Sequence, residues 1–363
     1  MFNFFHESSI GIDIADHSIE VVELDRRGAT FYVHKIGRVE MRSGVVERGT
    51  IKDEAELIRM VKKVFEVAGI VPTAARAVIY GLPESKVYLH FVTFQKHTVR
   101  DLKSLVADEV SRVIPIDLQD LSYEYRITQE TKDTASVVIV AVSKTVISQW
   151  QKFFLSCDIS LALIDVETFA IARGLFGASS SKGASVVVLD LGAVTSTISV
   201  FGELGIVYSH SVPVGGEYLT DAIARDLEVS VKEAEERKRA GGLMHKNTKS
   251  ISSIIKALEP IVSECKSIAN HMTGAPVSEF VCVGGSARMP GFIEYMKSNL
   301  DIPVRIGSPI FVETFPKTID VKSDSLLYIE AIGLALRHFQ NNDPSFDGQY
   351  QGHSFAKMFP WRS

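Results

Sequence analysis

One short pattern occurs twice in this chain, and that duplication constrains the fold more than any other feature. Residues 186–201 read Val-Val-Val-Leu-Asp-Leu-Gly-Ala-Val-Thr-Ser-Thr-Ile-Ser-Val-Phe. Residues 10–24 read Ile-Gly-Ile-Asp-Ile-Ala-Asp-His-Ser-Ile-Glu-Val-Val-Glu-Leu. In each, an apolar run ends in a carboxylate, Asp190 or Asp13. A small, polar turn follows, and then alternation resumes. Asp13 falls under Asp190, Ala15 under Gly192, Ser18 under Thr195 and Val21 under Ile198. The pattern is that of a buried strand, a tight turn and a returning strand. The second turn offers backbone N–H groups and the hydroxyls of Thr195, Ser196 and Thr197, and clustered N–H groups make an anion-binding concavity. A carboxylate just before such a turn suits Mg²⁺, which keeps its waters and bridges to phosphate oxygens. Solenoid repeats recur every 20–50 residues or so, far closer than these copies lie. The expectation is two similar lobes, each opening with a hairpin, facing one another across a cleft.

The intervening residues fit α/β lobes. Residues 30–39 alternate as a strand. Residues 53–68 have helical spacing, with Leu57, Met60, Val61, Val64 and Phe65 on one face and Gly69 as the stop. Residues 74–80 read as a buried strand. Residues 84 to about 160 read as an inserted strand-helix-strand-strand-helix unit with its own core. Its His90 and His97 have no carboxylate or cysteine beside them in sequence, so the insert reads as a docking surface. A strand to Asp165 then leads into a helix that opens with Glu167, where the helix dipole favours a carboxylate. That helix carries the small residues Ala170, Ala172 and Gly174, and residues 179–183 read as a flexible linker. In the second lobe, residues 218–227, 232–240 and 250–272 read as helices. Residues 280–283 form a strand ending in Gly284-Gly-Ser286, where paired glycines let a ligand lie against the backbone ahead of a helix. Residues 323–339 form a last helix with Ala331, Gly333 and Ala335, and 341–363 read as a loose tail.

Composition narrows the function. Of 363 residues, 46% are hydrophobic and 23% charged, which is an ordinary globular make-up for two or three domains. A net charge of −5 gives no electrostatic case for nucleic acid as a partner. Cys157, Cys265 and Cys282 lie far apart and lack metal-ligand spacing, which points to reduced thiols in the cytoplasm. No apolar run reaches the roughly 18 residues of a membrane span, and residues 1–5 lack the basic start of a signal peptide. Walker-type Gly-Lys-Ser/Thr, Gly-x-Ser-x-Gly and His-Glu-x-x-His are all missing.

The ordered set of two Asp-ended hairpins, a Gly-Gly turn and two small-residue helices resembles the actin-like ATPase family, over residues 8 to about 338. Within it, the chain resembles the FtsA/PilM branch. Three features carry this: the turn Asp-Leu-Gly-Ala-Val-Thr-Ser-Thr, the insert in the first lobe, and Val214-Gly-Gly-Glu-Tyr-Leu-Thr220 followed by Glu233-Ala-Glu-Glu-Arg-Lys238. The resemblance implies an α/β, ribonuclease H-like two-lobed fold. Lobe I would span 1–82 and 161–180, with an FtsA/PilM-type subdomain at 83–160. Lobe II would span 184–216 and 279–340, with a helical subdomain at 217–278.

The resemblance also implies ATP with Mg²⁺. Asp13 and Asp190 would hold the metal's water shell. Ser18, Gly192, Thr195, Ser196, Gly215 and Gly216 would lie on the phosphate side. Glu235 and Lys238 would approach the ribose or adenine, Gly284, Gly285 and Ser286 would bracket the adenosine, and Glu167 would orient water. The chain departs from the family pattern at Ala15, where glycine is usual, and adds Asp16 beside it. It also has Thr168 where proline is common and Glu20 where lysine is frequent. These departures put hydrolysis in more doubt than binding.

Three readings follow from the resemblance. The first is a nucleotide-bound scaffold for type IV pilus assembly at the inner face of the cell membrane. It would capture the short N-terminal cytoplasmic tail of a single-pass, PilN-like inner-membrane protein, with pilus motor ATPases as further partners. The second is an FtsA-like division protein that polymerises and binds membrane. That reading wants a basic amphipathic C-terminal helix, whereas the end of the tail has Pro360 and only Lys357 and Arg362 as cations. The third, a small-molecule kinase, finds no acceptor pocket in the pattern. Whether ATP is turned over stays open at this point.

Overall fold

The structure, a computed structural model, describes residues 7–28, 30–72, 76–96, 101–177, 183–272, 275–310, 315 and 324–340. The linker expected at 179–183 lies almost wholly outside these residues, and His97, the tail at 341–363 and the start at 1–5 lie fully outside them. The chain forms two compact units, one from residues 1–179 with 308–363, the other from 180–307.

In the first unit, the hairpin β1 (Glu7–Ile14) and β2 (Ser18–Arg27) continues into β3 (Thr30–Glu40) as an antiparallel meander. A short ladder, β4 (Val46–Glu47) and β5 (Thr50–Ile51), precedes α1 (Glu54–Ala68). Asp53 caps α1 by accepting the Glu56 N–H, and Gly69 stops it at a left-handed φ of 62°. Strand β6 (Ala77–Leu82) joins β1 in parallel.

The insert then runs β7 (Tyr88–Gln95), α2 (Leu102–Val113), β8 (Leu121–Glu130), β9 (Thr134–Ser143) and α3 (Lys144–Ser156). Its sheet has the order β7-β9-β8. A core of Val106, Val110, Ile114, Leu121, Val137, Ile139 and Ala141 seals α2 to it, as the sequence predicts. Helix α3 does more than close the insert. It packs on α1 and on β10 (Leu161–Val166), the outer parallel strand of the main sheet, and α4 (Glu167–Phe176) follows.

The second unit repeats this plan. Strands β11 (Ser185–Leu191), β12 (Ser196–Gly202) and β13 (Gly205–Val212) form the meander. Helices α5 (Gly216–Leu227), α6 (Val231–Ala240) and α7 (Thr248–His271) lead to β14 (Val277–Val283), then α8 (Phe292–Asn299) and β15 (Val304–Ile306). The sheet orders are β10-β6-β1-β2-β3 and β15-β14-β11-β12-β13. These are one topology realised twice, with the Asp-ended strand at the centre of each sheet.

The repeat logic fails at its last helix. The sequence reading carries the second lobe to residue 340, which would include α9 (Ile329–Gln340). Instead α9 packs on α4, β1, β2 and β6, in the first unit. Small residues make this possible. A Cβ on Gly333 would lie 1.8 Å from the Ala170 carbonyl, one on Gly174 2.0 Å from that of Ile329, and one on Gly11 1.9 Å from that of Ala331. Ser9 Oγ adds a hydrogen bond to the Ala335 carbonyl at 2.7 Å. The apolar face of α9 then buries Ile332, Leu336 and Phe339 against Val22, Leu24, Phe31 and Val33. Apolar burial at roughly 25 cal/mol per Å² selects the sheet that offers this apolar surface.

Candidate functional site

In the second unit, three segments converge at the carboxyl end of the central strands, where open α/β sheets bind ligands. The first is the turn after Asp190. Gly192 N–H donates to the Thr195 carbonyl at 3.1 Å, and the Gly192 carbonyl accepts the Gly216 N–H at 2.9 Å. The second is the start of α5, where Glu217 N–H donates to the Ala193 carbonyl at 2.8 Å. A Cβ on Gly215 would lie 2.5 Å from that carbonyl, and one on Gly216 2.3 Å from Ser286 Oγ and 3.3 Å from Lys238 Nζ. The third is the turn after β14. Gly284 takes a φ of 85°, and a Cβ there would lie 2.4 Å from Asp190 Oδ1. Gly285 faces open space. Ser286 Oγ donates to the Gly192 carbonyl at 3.4 Å. Side chains at Gly215, Gly216 and Gly284 would collide with neighbouring protein atoms, so these glycines let the three segments close on one another, and only Gly285 opens onto free space.

Lys238 and Glu235 sit beside these segments as an ion pair at 2.7 Å. Lys238 is buried, and its ammonium also donates to the Gly216 carbonyl at 2.7 Å and to Thr220 Oγ1 at 2.8 Å. Thr220 donates to Glu235 Oε2 at 2.5 Å, and Arg239 to Oε1 at 2.6 Å. Burial alone would raise the Glu235 carboxyl. The hydrogen bonds from Lys238, Thr220 and Arg239 outweigh it and hold the group down at about 2. Burial draws the Lys238 ammonium below its ordinary value, against the pull of Glu235. The result is a rigid, charged wall that joins α6 to the start of α5.

Ser196 differs from its expected role. It is fully buried, and its hydroxyl donates to the Val214 carbonyl at 2.5 Å, so the side chain ties the turn to α5 from inside. Thr197 pairs with Ser211 across the hairpin. Thr195 remains half-buried at the turn.

In the first unit, Asp13 ends β1 opposite Glu20 on β2. Ala15 closes the turn by donating its N–H to the Ser18 carbonyl at 3.0 Å, and it does not take a positive φ. Alanine therefore needs no left-handed backbone there, so its replacement of the usual glycine brings no strain. Asp16 Oδ1 accepts the Arg48 N–H at 2.8 Å, which braces Arg48 in its left-handed conformation. Glu20 is buried against Arg38 at 2.6 Å. Burial pushes its carboxyl up to about 7, against Arg38 and a hydrogen bond from Ser18. The Ser18 side chain thus serves Glu20. Glu167 Oε2 accepts the Glu84 N–H at 3.3 Å, just beyond β6. Glu330, on the first turn of α9, brings Oε1 to within 2.6 Å of where a Gly81 Cβ would be. Among the described residues no three His, Cys, Asp or Glu side chains form a group that could hold a bare metal ion. His90, read as lacking a carboxylate, has one from α2: its Nε2 lies 2.7 Å from Glu109 Oε1.

A family model described as "Type IV pilus assembly protein PilM" matches residues 11–339. The chain belongs to the PilM family. Among solved structures it is similar to a PilM-PilN type IV pilus biogenesis complex, with a TM-score of 0.76 at 19% identity, covering 91% of this chain and 98% of that one. It also resembles MreB 5 of Spiroplasma citri bound to AMPPNP, with a TM-score of 0.51 at 13% identity, covering 93% and 96%. In sequence it is 21% identical over 357 residues to the cell division protein FtsA of Bacillus subtilis (strain 168), covering 85% of this chain and 80% of that protein. The fold is the actin-like one. Within this PilM-family chain, sequence reasoning missed Thr220 and Glu330. Thr220 lies at the end of a motif quoted for its glycines, and its spacing from Glu235 carries no periodic signal. Glu330 was hidden because α9 was assigned to the other lobe.

Proposed function

We propose that this protein is an ATP-binding scaffold of type IV pilus assembly that captures the short cytoplasmic tail of a PilN-like inner-membrane protein. The observation that carries the nucleotide half is the convergence of the Gly192 turn, the start of α5 and the Gly284 turn at one end of the second unit's sheet, with Gly285 open to free space. The backbone around Gly192 would face the phosphates, with Thr195 beside it. The Glu235–Lys238 wall would meet the nucleoside, and Gly284, Gly285 and Ser286 would bracket it. The donor set fits a hydrated Mg²⁺ better than a directly ligated ion, since the carboxylates are dispersed and Mg²⁺ gives up its waters reluctantly. Such an ion would neutralise phosphate charge. In the second unit, Asp190 would hold its waters. Family membership and the fold shared with an AMPPNP-bound structure support the nucleotide.

The partner half rests on the family and on the similarity to a PilM-PilN complex. Strands β7 and β8 are the two edges of the inserted sheet. An edge strand offers unpaired N–H and C=O groups to an added peptide strand. A membrane-anchored partner would also account for location, since no described helix is long and apolar enough to cross a membrane. The test is calorimetric titration of the partner's N-terminal peptide into the full chain, with Mg·ATP and then with EDTA. Tighter binding by about tenfold or more, a difference of about 1.4 kcal/mol, is the expected result with nucleotide. Equal affinity in the two conditions would separate capture from ATP and overturn the reading.

A further inference from the structure

The proposed function lays the Glu235–Lys238 wall along the nucleoside, but hydrogen bonding sorts its two members differently. A lysine ammonium has three protons to donate and nothing to accept with. Those of Lys238 meet three acceptors within the protein: the Gly216 carbonyl at 2.7 Å, Thr220 Oγ1 at 2.8 Å and Glu235 Oε2 at 2.7 Å. The Lys238 side chain is 8% exposed, so the ammonium has neither a spare proton nor an open side for a ligand. Glu235 is 31% exposed, and its Oε1 keeps acceptor capacity beyond the bond from Arg239. The wall therefore turns a carboxylate edge outward and keeps its cation inside.

What the cation holds is one peptide group from the turn after Asp190. The Gly216 carbonyl and the Glu217 N–H belong to the same planar peptide. Lys238 holds its carbonyl end, and its N–H end donates to the Ala193 carbonyl at 2.8 Å. The preceding N–H, that of Gly216, donates to the Gly192 carbonyl at 2.9 Å. Helix α6 buries two side chains, Ala234 and Lys238. A buried charge is a poor choice for packing alone, because an apolar side chain of similar volume is often as stable or more so. A lysine there calls for a role that methionine could not fill.

We propose that Lys238 is a positioning residue for the phosphate turn, not a ligand of the nucleoside: by fixing the Gly216–Glu217 peptide it holds the turn at Gly192 and Ala193 in the shape that receives a polyphosphate. The ligand rests on the nucleotide reading given above, while the brace is a property of the free chain. Without the ammonium, the peptide can rotate about its flanking bonds, and the Glu217 N–H loses its aim at Ala193. The effect of removing Lys238 therefore follows the phosphates and is indifferent to the base.

Calorimetry measures the Kd of Mg·ATP and of Mg·tripolyphosphate, which has no nucleoside, for the parent, Lys238→Met and Thr220→Val. Lys238→Met should weaken both ligands by the same factor, about tenfold, or about 1.4 kcal/mol. Weaker ATP binding with tripolyphosphate unchanged would make Lys238 a nucleoside ligand and overturn the proposal, as would parental affinity for both. Thr220→Val removes one acceptor of the ammonium and should weaken both ligands alike, while Thr220→Ser restores them; this pair carries the test if Lys238→Met does not fold. A second arm needs no ligand. In Lys238→Met, or in Thr220→Val in its place, the Glu217 amide should exchange its hydrogen about tenfold faster or more, with the amides of Val188 and Val200 in the sheet unchanged. An unchanged Glu217 rate overturns the brace, and so does equal acceleration at all three amides, which would report a general loosening. If Mg·ATP does not bind the parent, the nucleotide reading fails; in that case, or if tripolyphosphate alone does not bind, exchange at Glu217 still decides the brace.

Discussion

At the scale of single residues, the account turns on how little space the second unit leaves around its glycines. Gly216→Ala would drive a Cβ into Ser286 Oγ and toward Lys238 Nζ. Its expected effect is a loss of ATP affinity of about tenfold or more, roughly 1.4 kcal/mol, with far-UV circular dichroism unchanged. Parental affinity would show that this convergence is not where nucleotide lies. Glu20 makes a separate, pH-dependent prediction. Its folded value of about 7 is raised from 4.5. Between those values the folded state therefore holds a proton that the unfolded state has released. Stability then falls as pH rises through this window, by about 1.4 kcal/mol per unit at most. Glu20→Gln should flatten that part of the profile in urea denaturation between pH 5 and 8, and parallel profiles would contradict the assignment. Residue identity was legible in the sequence wherever backbone conformation demanded it, as at Gly284. It was misleading where a hydroxyl faced inward. The type and position of Ser196 and Ser18 match phosphate ligands, yet alternation cannot say that Val214 or Glu20 takes up their hydrogen bonds.

At the scale of elements, the crossing of α4 and α9 holds the first unit's carboxylates in place. Glu167 and Glu330 stand at the first turns of these helices. Behind them, Asp165 is buried with Arg173 at 2.9 Å, and Arg173 also donates to the Gly333 carbonyl at 2.6 Å. Gly333→Ala would force the helices apart and should cost at least the ~1–3 kcal/mol of ordinary over-packing, read from the urea midpoint. An unchanged midpoint would mean that the crossing yields easily. Asp165→Asn should cost more, about 3–5 kcal/mol by the same measurement, because removing one partner of a buried pair strands the other charge. The small residues on these helices predicted a close approach correctly. What they could not reveal was which sheet α9 would cover, because both units offer the same five-strand plan. The choice depends on long-range apolar burial against Val22, Leu24 and Phe31, which no local periodicity encodes.

At the scale of the whole molecule, duplication was the strongest signal. Two Asp-ended hairpins predicted two units of one topology, and both sheets carry it. The insert was equally visible, since α2 and its strands have their own core. Its tie to the main body was not, because Trp150, Phe153 and Phe154 read as ordinary helix-face residues until Tyr80 is placed against Trp150 and Phe154. Membership of the PilM family makes a division-type, membrane-tethered role a separate expectation to be excluded by experiment. Liposome sedimentation should leave the isolated full chain in the supernatant, and co-sedimentation without any partner would favour the FtsA-like alternative.

The most direct test of the account is calorimetric titration of Mg·ATP into the full chain and into Asp190→Ala, with folding of both verified by circular dichroism. The account predicts saturable binding to the parent and an affinity at least about 100-fold weaker in Asp190→Ala, close to 3 kcal/mol. Equal affinity in the two proteins would contradict it.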